Sequence, residues 1–271
     1  MGRFFLWGGC RPRPRHRGCD ANPERRGRGL CRACRGVRTV RRKPFISRLQ
    51  VMADYHNLQN VFKGFSMRLE HHQFRDMDLV GGDPALDLVN TVTARDTLPR
   101  DWLDDYPALL RWARKAALVP AAELQALERL AAAPAAKSAA ALARCKQLRE
   151  ALCAALYALA GGGEPAAAEL ELLDQARLSA SRAARLVSRG GRLQTQWSAQ
   201  RSGLDLIAHV ATAHAIELLK DARLERLRVC DGRDCGWVFV DSSKSGRRRW
   251  CDMATCGNAA KARRFNQRHK E

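Results

Sequence analysis

Four cysteines near the C-terminus constrain this chain more than any other feature. They form two pairs, Cys230-Asp-Gly-Arg-Asp-Cys235 and Cys251-Asp-Met-Ala-Thr-Cys256, each with four residues between its thiols and with fifteen residues between the pairs. Two short loops that each present two sulfurs suit one tetrahedral Zn²⁺ ion, and with all four positions filled by protein the site is structural rather than catalytic. Disulfides and an iron–sulfur cluster are the alternatives; the first is disfavoured in a chain without a secretory signal. The surrounding pattern favours zinc. Residues 237–240 (Trp-Val-Phe-Val) read as a strand, 242–246 as a turn and 247–250 as a return strand, while 258–269 contain neither Gly nor Pro and read as a helix. The product is a small treble-clef-like or zinc-ribbon-like finger, with Trp237, Phe239, Trp250 and Phe265 expected around its zinc core. Chelation is expected to unfold residues 228–271 and leave the rest intact.

Charge is distributed unevenly. Of the net +20, residues 1–66 carry +13 and residues 223–271 carry +7, so the stretch between is neutral. A neutral body with a basic terminal module is the pattern of a protein whose finger alone meets polyanions. On the last helix Lys261, Arg264 and Arg268 fall on one stripe and Arg263 on a neighbouring one, with Ala262 and Phe265 free to face the zinc core. Arg247, Arg248 and Arg249 stand just before the second cysteine pair. These seven side chains are the candidate nucleic-acid contacts; a solvated basic face that offsets a four-thiolate zinc centre is the alternative.

Within this module, Asp241-x-Ser243, Arg249-Trp250-Cys251 and Cys256-Gly257-Asn258, together with the two cysteine pairs, resemble the CGNR zinc finger over about forty residues. The chain departs at Ala259, where the family has its name-giving Arg; the ligands are intact, but whatever that Arg touches has no counterpart here. The resemblance implies a bacterial, cytoplasmic stress-response transcription regulator with an N-terminal helical module, the ABATE domain. Gly82-x-Pro84-Ala-Leu-Asp87-x-Val-Asn90-Thr91 is similar to the opening of that domain.

The three segments are therefore a disordered basic extension (1–66), a helical domain (77–222) and the finger (226–271). The extension is rich in Arg, Gly and Pro and lacks an apolar core; it is either a basic arm, with Cys31-x2-Cys34 as half of a metal site, or a start called too far upstream, with Met52, Met67 and Met77 as later starts. The fold is mainly α. Asp83 and Pro84 start one helix, Asp105 and Pro107 a second that ends near Pro120, and further helices span 121–133, 137–160 and 165–178. The longest carries Leu142, Cys145, Arg149, Leu152, Leu156 and Leu159 near one stripe, so Cys145 and Cys153 read as buried small hydrophobes. Residues 182–187 and 192–197 alternate and flank a Gly-Gly turn, a β-hairpin expected to cover the helices. A last apolar helix, 203–220, leads into the finger. Asp87 and Asn90 share a helical face; they either line a pocket for a small-molecule effector or orient local backbone, and the second reading is favoured.

No apolar run reaches the length of about eighteen residues that a membrane span needs. No enzyme signature is present either: Gly161-Gly-Gly163 lacks the Lys-Ser/Thr of a phosphate loop, and His209 and His214 lie on different helical faces. Two classes remain. In one, the finger binds duplex DNA and the helical domain senses a ligand or forms a homodimer, which makes a transcription regulator. In the other, the finger binds RNA or a protein partner. Too few exposed aromatic side chains are expected for a single-stranded RNA platform, which favours DNA.

Overall fold

Two aspartates set where the first long elements begin. The computed structural model describes residues 71–95, 97–132 and 134–269; the arm at 1–66, with Cys31 and Cys34, lies outside them. Asp83 stands in extended backbone and accepts the Ala85 N–H at 3.0 Å, so α1 (Pro84–Val89) starts at a proline that needs no donor. A short antiparallel pair follows, β1 (Val92–Thr93) with β2 (Arg100–Asp101). Asp105 then caps α2 (Tyr106–Lys115), accepting the Ala108 N–H at 2.7 Å. Pro120 and Pro134 precede α3 (Ala121–Ala131) and α4 (Ala135–Ala160). Next come α5 (Ala167–Ala183), the hairpin β3 (Arg185–Arg189) and β4 (Arg192–Gln196), the single turn α6 (Ala199–Ser202) and α7 (Leu206–Lys220). The finger adds β5 (Leu227–Val229), β6 (Val238–Val240), a π-type turn at Met253–Gly257 and α8 (Asn258–Arg268). None of the helices in the described residues is long and apolar enough to cross a membrane.

α4 is the spine of the core. Cys145, Leu152 and Leu156 are fully buried beside Leu86 of α1, Trp112 of α2 and Leu206, Ile207 and Leu218 of α7. Burial holds the Cys145 thiol up at about 12, so it is an inert apolar group and not a nucleophile. Arg149 sits in that same apolar face because it has a full set of partners. Its guanidinium makes two 2.8 Å bonds to Asp101, one of 3.0 Å to Thr91 Oγ1 and one of 2.9 Å to Glu150. Burial alone would raise the Asp101 carboxyl, yet Arg149 and then Lys146 hold it down at about 2. This network ties β2 to α4.

Two strand expectations need correction. β3 and β4 do pair, and Gly190 and Gly191, at φ of 56° and 74°, make the two-residue turn that only such backbone allows. The hairpin does not cover the helices, however: Leu186 and Leu193 are 72% and 73% exposed. α5 also continues beyond residue 178 to Ala183, so β3 begins later than the alternation suggests. In the finger, residues 247–250 form no strand. β6 pairs instead with β5 upstream, Val238 opposite Val229 and Val240 opposite Leu227, so the first cysteine pair lies inside the hairpin turn. The loop after β6 is held by Asp241, whose buried carboxylate accepts the N–H groups of Ser243 at 2.9 Å and Arg248 at 2.8 Å. Hydrogen bonding from Ser243, then from the Arg248 amide, keeps that carboxyl down at about 2.

Candidate metal centre and basic face

Cys230 follows β5 and Cys235 lies just before β6, with Asp234 in the left-handed region at φ 58° to close the knuckle. Cys251 follows the 242–250 loop, and Cys256 stands in the π-type turn that Asp252 caps by accepting Thr255 N–H at 2.8 Å. Four thiolates about 2.3 Å from one zinc ion stand on a tetrahedron with edges of about 3.8 Å. The Cys235–Cys251 and Cys251–Cys256 sulfur separations are both 3.7 Å, and all four sulfurs lie within 4.8 Å of one another. These distances are far too long for disulfides. Backbone donors also converge on one sulfur: Gly232 N–H and Cys251 N–H reach Cys230 Sγ at 3.3 and 3.2 Å. A side chain at Gly232 would put Cβ 2.8 Å from Cys256 Sγ, so the knuckle closes only around glycine. Left to themselves, the thiols compete: hydrogen bonds from Cys235 and then Cys251 pull Cys230 far down, and Cys235 and Cys251 are pushed up. A divalent cation removes that competition, because it stabilises all four thiolates together. Cys230, Cys235, Cys251 and Cys256 are thus positioned to bind one zinc ion.

The finger shares a wall with the helical body. Val238 and Val240 are packed in the body's core, while Trp102 of the body meets Trp237 edge-on at 5.6 Å. Asn90 acts as a one-residue strand: its Nδ2 donates to Val238 O and its Oδ1 accepts Val238 N–H, each at 2.9 Å. Ala94 N–H donates to Cys235 O at 3.0 Å, Val240 N–H to Gly81 O at 2.9 Å, and the Tyr157 hydroxyl to Gly236 O. Asp87 lies one turn from Asn90 and accepts the Gly81 N–H at 2.8 Å, fixing the backbone that Val240 uses. Neither Asp87 nor Asn90 is among the residues of the open cleft of about 290 Å³ between α2 and α3, whose rim carries the Arg114–Glu128 ion pair. Tyr157 is invisible as an anchor in the sequence, since it continues an ordinary helix.

Burial pushes the Asp87 carboxyl up to about 7 from an ordinary value of 3.8, against the Gly81 amide, which favours ionisation. The folded chain therefore binds this proton more tightly than the unfolded chain. Stability from this group is complete below about pH 4 and is lost as the pH rises towards 7. Asp87→Asn imitates the protonated acid and should raise stability at pH 8 by a few kcal/mol, about 1.4 for each tenfold change in proton affinity. Thermal melting of parent and variant from pH 5 to 8 checks this: the difference between them should grow with pH, and a constant difference would show that Asp87 keeps an ordinary affinity.

The candidate nucleic-acid contacts divide into two groups. Arg248 is occupied: Nε donates to Trp250 O at 2.8 Å, Nη2 donates to Cys251 O, and the guanidinium lies 4.5 Å over the Phe239 ring. Arg249 is exposed but pairs with Asp231 at 2.8 Å and lies over Trp250 at 5.4 Å. Arg247, Lys261, Arg264 and Arg268 are exposed and Arg263 is half-buried, and none of the five makes an ion pair among the described residues. No residue of α8 is fully buried, and Ala262 and Phe265, both exposed, do not face the zinc core; Phe265 is 54% exposed. The half-buried positions of the helix are Ala260 and Arg263 instead, and a π-type turn, not an unbroken helix through Cys256, leads into it.

Fold and site together define a zinc-finger protein whose finger is built onto a mainly helical body. The chain belongs to the ABATE family: residues 82–222 match its model, described as "Putative stress-induced transcription regulator", and residues 226–269 match the CGNR zinc finger. No curated protein matches the chain.

Proposed function

We propose that this protein is a DNA-binding transcription regulator of the bacterial cytoplasm, not an enzyme, in which zinc holds the finger and α8 grips the phosphates of duplex DNA. The helical body serves as the sensor or homodimerisation unit. One observation carries the reading: Lys261, Arg264 and Arg268 are exposed on one stripe of α8 and make no ion pair among the described residues. Such a stripe meets phosphates along a groove, and it supplies affinity without sequence preference. The family description points the same way.

Replacing Lys261, Arg264 and Arg268 together with Ala should flatten the dependence of log affinity on log salt by about 2.7, or about 0.9 for each phosphate that is no longer neutralised. Fluorescence anisotropy on a 20-base-pair duplex, across a salt series, reads this directly. Melting should hardly change, because the three side chains are exposed. An unchanged slope would remove α8 from the contact surface. Tighter binding of the parent to single-stranded RNA than to the duplex would favour the RNA-binding reading.

A further inference from the structure

α8 has a side that the phosphate reading does not use. Only Ala260 and Arg263 are half-buried, and every other position from Asn258 to Arg268 is exposed. At about 100° per residue, the side opposite those two carries Asn258, Ala262, Phe265 and His269. Phe265 lies at its middle, with its ring centroid 4.0 Å from that of His269. Lys261 and Arg268 border the same side on the cationic stripe. A lone exposed phenylalanine means little by itself. This one stands opposite the half-buried side of the helix, beside its densest positive charge, and it contributes nothing to the core.

The charge around it selects the occupant. The chain's own residues 1–66 carry +13 and would be repelled, as would α8 of a second copy. A polyanion with an apolar feature is what fits. The major groove of duplex DNA is about 12 Å wide, accepts a helix, and displays the thymine C5-methyl as its apolar group.

We propose that Phe265 is a base-contacting residue: with Lys261, Arg264 and Arg268 on phosphates, α8 lies in the major groove and the Phe265 ring, backed by His269, meets thymine methyl groups. The proposal rests on the DNA-binding reading above and adds to it a source of base preference.

The test uses the full zinc-loaded chain and two 20-base-pair duplexes of alternating A·T sequence. One contains thymine, and the other has deoxyuridine in its place, which lacks only the methyl. The parent should bind the thymine duplex more tightly, by about fourfold for each methyl that the ring meets. Phe265→Ala should bind the thymine duplex more weakly than the parent, bind both duplexes equally and keep the parent's salt slope, because no charge is removed. Phe265→Leu, still apolar, should retain part of the preference. Equal parent affinity for both duplexes overturns the proposal, as does a Phe265→Ala variant that keeps the thymine preference. If Phe265→Ala weakens binding to a thymidine 20-mer single strand and not to the duplex, the ring stacks on unpaired bases and groove contact is overturned. If the parent binds neither duplex nor single strand, the DNA-binding reading fails first and this proposal with it.

Discussion

Removing zinc from the full chain should unfold the helical body together with the finger. The sequence suggests selective loss of residues 228–271, since a small cysteine-rich module usually folds and melts by itself. The structure joins the two. Leu227, Val238 and Val240 belong to the body's core, and Asn90, Gly81, Ala94 and Tyr157 hydrogen-bond to finger backbone. A four-thiolate zinc centre contributes on the order of 10 kcal/mol of apparent folding energy in small fingers. That equals most of the roughly 5–15 kcal/mol that holds a whole domain together. Purified protein should contain about one zinc per chain. A chelator, or Cys251→Ser, should lower the melting temperature by at least about 10 °C, with the far-ultraviolet helical signal lost in the same single transition. Loss of zinc with the helical signal fully retained would show that the finger folds independently.

Asn90→Ala should be the most destabilising single substitution away from the cysteines. The side chain is buried and satisfies both the N–H and the C=O of Val238, at the start of β6. Alanine leaves both groups without partners in a wall that water does not reach. Each orphaned backbone group costs about 1–3 kcal/mol, so the loss should be roughly 2–6 kcal/mol. Because β6 leads directly from Cys235, zinc should also be lost at lower chelator concentration. Denaturant unfolding and a zinc competition titration measure the two effects. A loss below about 1 kcal/mol with unchanged zinc affinity would show that Asn90 is not the joint between body and finger. Asn90→Asp keeps the acceptor for Val238 N–H and gives up the donor, so it should fall short of the parent as well.

Local chemistry is legible in the sequence, and pairing at a distance is not. The metal ligands follow from cysteine spacing, because two short loops leave thiols few other ways to be satisfied. Helix starts follow from Asp83-Pro84 and Asp105, where a cap and the following residues are adjacent in the chain. The partner of β6 cannot be read that way: Leu227–Val229 is a three-residue strand, and what fixes β6 from its other side is Asn90, 148 positions before Val238. Arg149 illustrates the same limit. Beyond its neighbour Glu150, its partners on an apolar stripe are Asp101 and Thr91, which the chain brings together through β1 and β2. The alternation of Leu186 and Leu193 implies one buried face, yet nothing in the described residues covers it. Residue type alone places Phe265 in a zinc core, and the π-type turn before α8, which decides its direction, has no sequence signature.

Hydrogen exchange of the zinc-loaded chain, with and without a saturating 20-base-pair duplex, addresses the central claim most directly. α8 buries no side chain, so its amides should exchange fast in the free protein and slow on binding. Slowing concentrated in residues 247–249 and 258–269, with α4 and α7 unchanged, is the predicted result. Exchange in those two stretches that is indifferent to DNA, or slowing centred on the β3–β4 hairpin instead, would contradict it.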